Sequence, residues 1–325
     1  MRSITSPRPS RRHPARAFTL LELLVAISIT TVLTSLLLVA VQHVREASRR
    51  STCRHHLRQI GLLLHQFELA RTHLPPAALD RVVPLSTAHR VLQVPAESEH
   101  GWLALLLTYP EQATVTDRYQ WQWDWRSESN REARERPMPT LQCPSTPTPS
   151  KRIDRGSYQG QRWQAAITDY AAISGVDPAL FRHQRIDEAT MRAPIGMLRR
   201  NELARLADNL DGLSQSLWIA EDAGRPDRYR ARFQRSSGYV AGGGWPSPNN
   251  YFVMHGVQAQ GEELIECPMN CTNDNEIYGF HPGGSLGLFG DGSVHWLASN
   301  LELRVLARLI TIAAGEPSAN DAKAR

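Results

Sequence analysis

One apolar run near the N-terminus limits what this chain can fold into more than any other feature does. The run extends over 24 residues, from Phe18 to Val41, and Glu22 is its only charged residue. As an α-helix it is about 36 Å long, enough to cross a hydrocarbon core of about 30 Å. A carboxylate at mid-bilayer depth costs about 2.5–3.5 kcal/mol. The run therefore predicts a transmembrane helix in which Glu22 has a partner.

Two simpler interpretations explain less of this run. A secretory signal peptide has an apolar region of about 7–15 residues, which is shorter than the run and carries no acid at its start. An ordinary membrane anchor explains the length but not the position of Glu22. Five arginines precede the run and five more lie between Arg45 and Arg58. The charge distribution therefore does not fix the orientation in the membrane.

The segment from Arg16 to Ile27, RAFTLLELLVAI, resembles the N-terminus of type IV prepilins and pseudopilins. The resemblance implies that a prepilin peptidase cleaves between Ala17 and Phe18 and that the new N-terminus is methylated. It also implies that Glu22 pairs with the N-terminal amine of a neighbouring subunit. The family usually has Gly before the cleavage site, and Ala17 keeps a small residue there. Insertion in the inner membrane, with the C-terminal part on the periplasmic side, follows from the same resemblance.

The helix is predicted to continue beyond the membrane. Gly and Pro are absent between Phe18 and Gly61, and Leu57, Ile60, Leu64 and Phe67 form an apolar stripe with helical spacing. The Pro75–Pro76 pair ends the helix. The chain is thus divided into a basic leader (1–17), a membrane segment (18–41), a helix continuation (42–70), a globular head (71–315) and a disordered tail (316–325).

Net charge argues against a nucleic-acid binder. The 325 residues carry a formal charge of +5, but the first 17 residues hold five Arg and no acid. Cleavage of the leader leaves 32 basic and 32 acidic residues, a net charge of zero. A neutral mature chain lacks the basic footprint of a nucleic-acid-binding protein.

Four cysteines, Cys53, Cys143, Cys267 and Cys271, permit two disulfides in a domain outside the cytoplasm. Cys267 and Cys271 could close a short loop, which would leave Cys53 to pair with Cys143, although the sequence does not determine the connectivity. Free thiols are the alternative. A zinc site is less favoured, since no second Cys or His pair stands at ligand spacing.

The middle of the chain contains an alternating aromatic pattern. Tyr119, Trp121, Trp123 and Trp125 alternate with polar residues, which predicts a strand with four rings on one face. We favour a core-facing strand over an aromatic platform for a sugar or a partner.

Other patterns predict further elements of the head. These are a short helix over 101–109, strands over 168–175 and 216–222, an exposed loop over 236–250 and a final helix from Leu301 to Ala314.

The C-terminal part contains a hairpin signal. Two apolar runs, Leu286–Phe289 and Val294–Leu297, flank Gly290-Asp-Gly-Ser293. Asp-Gly between such runs predicts a β-hairpin, because Gly tolerates the positive φ of the turn. His281 precedes Asp291 with nine residues between them, so the two side chains meet only if the chain doubles back.

This arrangement resembles a large bacterial family of pseudopilin-like proteins, abundant in planctomycetes, with a C-terminal His-X9-Asp-Gly signature. His281, Asp291 and Gly292 fall on the signature positions. Four other segments resemble blocks of that family: 53–61, 141–145, 168–170 and 220–227. The family joins a prepilin N-terminus to a domain of unknown function, so the resemblance implies architecture and location rather than a reaction.

Candidate chemistry in the head is weighed against structural roles. His281 and Asp291 could form a base and its orienting acid, or bind a metal together with His295. A histidine bonded to a glycine-rich loop and an aspartate serving a turn explain the same residues. No HExxH or nucleophile-elbow motif is present. We therefore expect no enzymatic activity.

The sequence predicts no cofactor, and calcium is the less favoured alternative. The oxygen-rich stretch from Asn270 to Glu276, with Asp274 and Glu276, would supply hard ligands together with Asp291. Major pseudopilins of type II secretion bind calcium in a C-terminal loop, but the spacing here differs from an EF-hand and also suits a capped turn.

The sequence thus predicts an α+β fold of the pilin-like lollipop type, with a long N-terminal transmembrane helix packed on a head that contains an antiparallel sheet. The predicted function is that of a structural subunit that assembles with like subunits or other pseudopilins into a type IV pilus-like or type II secretion filament. The alternative is a membrane-tethered binding domain for a glycan or an envelope partner, which uses the prepilin motif only for export. A tethered metal-dependent hydrolase is a third, less favoured possibility.

Overall fold

The structure is a computed structural model that describes residues 19–82, 84–107, 118–148, 152–182, 186, 193–256 and 267–313. It divides into two compact units, Met1–Ala47 and Ser48–Arg325. The leader, the cleavage site Ala17–Phe18 and the tail at 316–325 lie outside the described residues.

The first unit contains the start of helix α1, which runs from Leu20 to Arg71. All its side chains between residues 20 and 45 are exposed. This helix is long and apolar enough to cross a membrane. Its hydroxyl groups bond back to carbonyls three or four residues earlier, as Ser28 does to Leu24 and Thr31 to Ile27, which leaves the helix surface apolar.

The second unit begins with the remainder of α1, which buries the predicted stripe. Leu57 and Leu64 are fully buried, and Ile60 and Phe67 are 2% exposed. Leu62, on the opposite side, is 64% exposed. The helical period predicted from the apolar spacing is therefore confirmed.

Within the residues that the structure describes, five short α-helices and eleven strands follow α1. The helices are α2 (Thr87–Leu92), α3 (Trp102–Leu106), α4 (Arg131–Arg134), α5 (Ala179–Arg182) and α6 (Leu303–Ile310). The strands are β1 (Ala78–Leu79), β2 (His100–Gly101), β3 (Ile153–Tyr158), β4 (Gln161–Ala166), β5 (Tyr170–Val176), β6 (Leu217–Glu221), β7 (Asp227–Arg230), β8 (Gln234–Tyr239), β9 (Tyr251–Met254), β10 (Gly284–Phe289) and β11 (Val294–Ala298).

A five-stranded sheet with the order β11-β10-β6-β5-β9 forms the centre of the second unit. Its neighbouring strands are antiparallel except for the parallel pair β5 and β9. The predicted hairpin is present, with Leu286 opposite Trp296, and the strands predicted over 168–175 and 216–222 correspond to β5 and β6. The α+β class is confirmed.

Helices cover both faces of this sheet. On one face, Leu286 and Leu288 join the apolar cluster that contains the buried stripe of α1. On the other face, Phe289 and Leu297 pack with Leu306 and the rest of the buried side of α6. Alternation along β10 thus sends successive side chains into two different cores.

The strand predicted from the alternating aromatic residues is wrong. Residues 118–127 form turns, and Trp125 is buried while Trp123 is 52% exposed. The side chain of buried Asn130 binds the backbone of this segment, donating to the Trp123 carbonyl at 3.2 Å and accepting from Gln120 N at 2.7 Å. These bonds replace the ladder that a strand requires.

The prediction of an exposed glycine-rich loop over 236–250 is also wrong. β8 occupies its start, and residues 242–248 are buried. At Gly242, where φ is +81°, an added Cβ would lie 2.1 Å from the Asn249 carbonyl oxygen. Close approach of two backbone segments, rather than exposure, accounts for glycine here. Two helices are shorter than predicted, since α3 ends at Leu106 and α6 spans Leu303–Ile310.

Candidate functional site

Glu22 forms part of a capping box at the start of α1. Its carboxylate oxygen Oε2 accepts hydrogen bonds from Thr19 N at 2.9 Å and from Thr19 Oγ1 at 2.8 Å. In return Glu22 N donates to Thr19 Oγ1 at 3.2 Å. This reciprocal arrangement satisfies two backbone N–H groups at the helix start. Glu22 therefore has a role within its own helix that the sequence interpretation, based on a neighbouring amine, did not consider.

The head segments that carry the family resemblance come together in the structure. Disulfides join Cys53 to Cys143 and Cys267 to Cys271, the pairing that the sequence allowed and did not determine. The first of these connects α1 to the segment that follows the 3-10 helix Pro139–Leu141. Both of its cysteines are fully buried.

His281 lies beside this disulfide. Its Nε2 atom is 3.4 Å from Cys143 Sγ and 3.2 Å from Glu221 Oε1. His281 and Glu221 are both fully buried. The second carboxylate oxygen of Glu221 accepts bonds from Ser285 Oγ at 3.0 Å and from Leu286 N at 2.8 Å. These bonds fix the end of β6 against the start of β10, and they hold the carboxylate in place beside the imidazole.

Two buried ion pairs surround the cluster. The Asp169 carboxylate lies 2.9 Å from the Arg152 guanidinium. It also accepts a hydrogen bond from Cys143 N at 2.9 Å. Asp222 lies 3.3 Å from Arg225, with both side chains fully buried. Burial raises the pKa of Asp222 to about 8, although Arg225 opposes the shift. Asp169 thus joins Arg152 to the backbone of Cys143, whereas Asp222 and Arg225 lie only three residues apart.

Asp291 does not take part in this cluster, because its carboxylate forms hydrogen bonds within the hairpin turn. Its Oδ1 atom accepts a bond from Ser293 N at 2.9 Å, and His295 Nε2 lies 2.8 Å from Ser293 Oγ. Gly292 occupies the positive-φ position of the turn, at +80°. The carboxylate partner of His281 is therefore Glu221 and not Asp291.

The three carboxylates considered for calcium each have a protein partner of their own. Asp274 lies 3.1 Å from Arg228. Glu276 Oε1 accepts from His255 N at 3.0 Å and from Gly256 N at 2.6 Å. Asp274, Glu276 and Asp291 do not form one group of neighbouring ligands in the described ranges. In the described residues these three carboxylates therefore do not form a calcium site together.

A cavity of about 670 Å³ opens near the cluster. Its walls are mainly apolar and include Pro137, Pro139 and Ile153, together with the polar side chains of His56 and Arg152. Burial lowers the pKa of His56, which favours the neutral imidazole. The buried Nε atom of Arg152 has no hydrogen-bond partner among the described residues. Glu135 and Gln164 also line the cavity, while the Arg152 guanidinium is paired with Asp169, so the cavity is a mainly apolar site with a few polar groups in its wall.

Sequence reasoning missed Glu221, Asp169 and Arg152. Glu221 ends a strand whose other residues are apolar, and the whole strand is buried. A carboxylate in such a strand is a signal of a buried partner. The sequence does not reveal which partner, because Glu221 and His281 are 60 residues apart.

Helix α1 is apolar and long enough to cross a membrane, and the model of the prokaryotic N-terminal methylation motif matches residues 12–38. Together they indicate the class of prepilin-type processed, membrane-associated proteins. The model of a family described as a protein of unknown function, DUF1559, matches residues 42–304. The chain therefore belongs to the DUF1559 family, and the family resemblance noted from the sequence is confirmed. Comparisons with curated proteins and with solved structures found no match.

Proposed function

We propose that this chain is a structural, pseudopilin-like subunit that is inserted in the inner membrane and assembled through the exposed apolar part of α1. Prepilin peptidase would remove residues 1–17, and Phe18 would become the methylated N-terminus. The observation that carries the proposal is an exposed, largely apolar helix surface between residues 20 and 41, in which Glu22 is the only charged residue. A surface of this kind requires lipid or other copies of the same helix to cover it.

The second unit supports an extracytoplasmic location and a structural role. Its two disulfides suit an oxidising compartment, which places this unit on the periplasmic side in the proposal. His281 is fully buried against Glu221 and the Cys53–Cys143 disulfide, so a substrate does not reach it in this conformation. The proposal therefore assigns the chain no catalytic role.

Processing is tested by mass spectrometry of the native N-terminus. The expected mature species begins with N-methylated Phe18. An intact Met1 in cells that contain an active prepilin peptidase would contradict the proposal.

Assembly is tested with three variants at the start of α1. Glu22→Gln keeps an oxygen that accepts the capping hydrogen bonds but removes the charge, Glu22→Ala removes both, and Thr19→Val removes the cap but keeps the charge. If Glu22 pairs with a neighbouring amine, the two Glu22 variants lose cross-linked oligomers in membranes, whereas Thr19→Val retains them. Assembly of Glu22→Gln at the wild-type level would show that Glu22 acts only as a helix cap.

The cavity favours a second function, that of a tethered binding domain. Its volume of about 670 Å³ lies within the range of small-molecule sites, about 300–1,000 Å³, and its walls are mainly apolar. Small uncharged aromatic compounds are therefore suitable probes. We expect them to raise the melting temperature of the wild type and not that of Ala166→Phe, which places a large side chain in the cavity wall. An equal rise in the melting temperatures of the wild type and Ala166→Phe would show that the cavity does not bind the probes, which would contradict this second function.

A further inference from the structure

We propose that reduction of the Cys53–Cys143 disulfide creates a buried site for one divalent metal ion of the zinc type, with Cys53, Cys143, His281 and Glu221 as its four ligands. The Sγ, imidazole nitrogen and carboxylate oxygen atoms of these residues lie within 4.8 Å of one another. Within the described ranges, this is the one such group of three or more His, Cys, Asp or Glu side chains.

The donor set suits zinc. Thiolate, imidazole and carboxylate groups are its usual protein ligands, and four of them complete a closed tetrahedral site. Bond lengths of about 2.0–2.3 Å place the ligand atoms of such a site about 3.3–3.8 Å apart. His281 Nε2 is already 3.4 Å from Cys143 Sγ and 3.2 Å from Glu221 Oε1. The two sulfur atoms are the pair that must separate, and breaking their bond allows this.

The surroundings of the ligands favour a metal over two free thiols. Ser285 and Leu286 bind Glu221 Oε2 and leave Oε1 directed at His281. Cys143 is held through its backbone N–H by Asp169. Bonds of this kind orient metal ligands before the ion arrives.

The chemical step is balanced with a dithiol as reductant. The dithiol passes two electrons and two protons to the disulfide, which gives the thiols of Cys53 and Cys143 and the oxidised dithiol. Binding of the metal then releases both thiol protons to solvent. His281 Nε2 donates to Glu221 Oε1 before the metal arrives, so the neutral ring must change tautomer: its proton moves through solvent from Nε2 to Nδ1, and the unprotonated Nε2 binds the metal.

Metal binding is tested on the full chain in detergent. The protein is reduced without oxygen by a phosphine, which does not compete for zinc as a dithiol does, and then receives one equivalent of Zn²⁺ or Co²⁺. We expect the reduced wild type to retain one metal ion after gel filtration, with a thiolate-to-cobalt absorption band for Co²⁺. The oxidised wild type should retain none. Zinc should raise the melting temperature of the reduced protein only.

Two double variants form a matched pair. Cys267→Ser/Cys271→Ser removes the other disulfide and should bind metal as the wild type does, whereas Cys53→Ser/Cys143→Ser should not. Glu221→Gln keeps an acceptor for Ser285 and Leu286, and we expect it to bind zinc about tenfold more weakly or worse. The proposal is overturned if reduced wild type retains no metal, or if Cys53→Ser/Cys143→Ser retains as much as the wild type.

Discussion

At the scale of single residues, His100 shows how burial decides a protonation state. Its Nε2 atom lies 3.2 Å from the Trp121 carbonyl, which can only accept, so Nε2 carries the proton. Nδ1 lies 2.8 Å from the Tyr119 hydroxyl and accepts its hydrogen bond. The neutral ring thus satisfies both neighbours. Burial lowers the pKa of His100 to about 4, although the bond to Trp121 opposes the shift.

This pKa predicts a loss of stability in mild acid. Below pH 6.5, its ordinary pKa, His100 takes up a proton in the unfolded chain, while in the folded chain it stays neutral until about pH 4. The stability present above pH 6.5 is therefore lost as the pH falls toward 4, by about 2 kcal/mol at pH 5. Urea denaturation followed by tryptophan fluorescence measures this loss.

His100→Gln is the variant that isolates this contribution. Glutamine offers a donor and an acceptor but does not titrate, so the variant should lose about 2 kcal/mol less than the wild type between pH 7 and pH 5. If the stability of His100→Gln depends on pH as that of the wild type does, a group other than His100 causes the loss of stability in acid.

At the scale of secondary-structure elements, α1 provides a direct comparison between buried and exposed leucines. Leu64 is fully buried in the core of the second unit, and Leu62 is 64% exposed two residues earlier. Leu64→Ala should lower the free energy of unfolding by about 2–5 kcal/mol, because it removes apolar contacts and leaves a cavity. Leu62→Ala should change it by about 0.5 kcal/mol or less.

The same denaturation experiment, with the full chain in detergent, separates the two variants. The helix propensity of the two substitutions is the same, so the difference between them reports packing alone. Comparable losses in both variants would mean that this part of α1 does not pack on the sheet through the Leu57–Phe67 stripe.

The elements that could be predicted from sequence are those whose signal is local. The stripe of α1 repeats at helical spacing, and the Asp291–Gly292 turn lies between two apolar runs, so no distant contact is needed to recognise either. The prediction of a strand at 119–125 failed because the side-chain amide of buried Asn130 forms hydrogen bonds with the backbone of this segment. These bonds depend on the tertiary fold and produce no periodic pattern in the sequence.

The candidate cluster shows the same limit. His281 and Cys143 could be selected from the sequence because they lie in segments with a recognisable family resemblance. That these residues come together in one cluster could not be predicted, because they belong to four separate segments. These segments are α1, the segment after Leu141, β6 and the loop before β10. Ligand spacing in sequence detects a metal site only when the ligands come in pairs, and here each ligand comes from a separate segment.

At the scale of the whole molecule, the two disulfides close loops of very different length. Cys53 and Cys143 are separated by 90 positions, whereas Cys267 and Cys271 are separated by 4. In the chain-entropy model, a cross-link stabilises the fold by restricting the unfolded chain, and the restriction increases with the logarithm of the loop length. The first disulfide should therefore contribute about 4–5 kcal/mol and the second about 2 kcal/mol.

The prediction is tested with Cys53→Ala/Cys143→Ala and Cys267→Ala/Cys271→Ala in the oxidised full chain, without added metal. The first variant should lose about 2–3 kcal/mol more free energy of unfolding than the second, and its urea midpoint should be the lower of the two. Cys53 and Cys143 are fully buried whereas Cys267 and Cys271 are half-buried, so loss of packing at the first pair adds to the difference expected from loop length. If the second variant were equally unstable, the long loop would already be restricted in the unfolded state. In that case the cross-link between α1 and the segment after Leu141 would contribute little to the stability of the second unit.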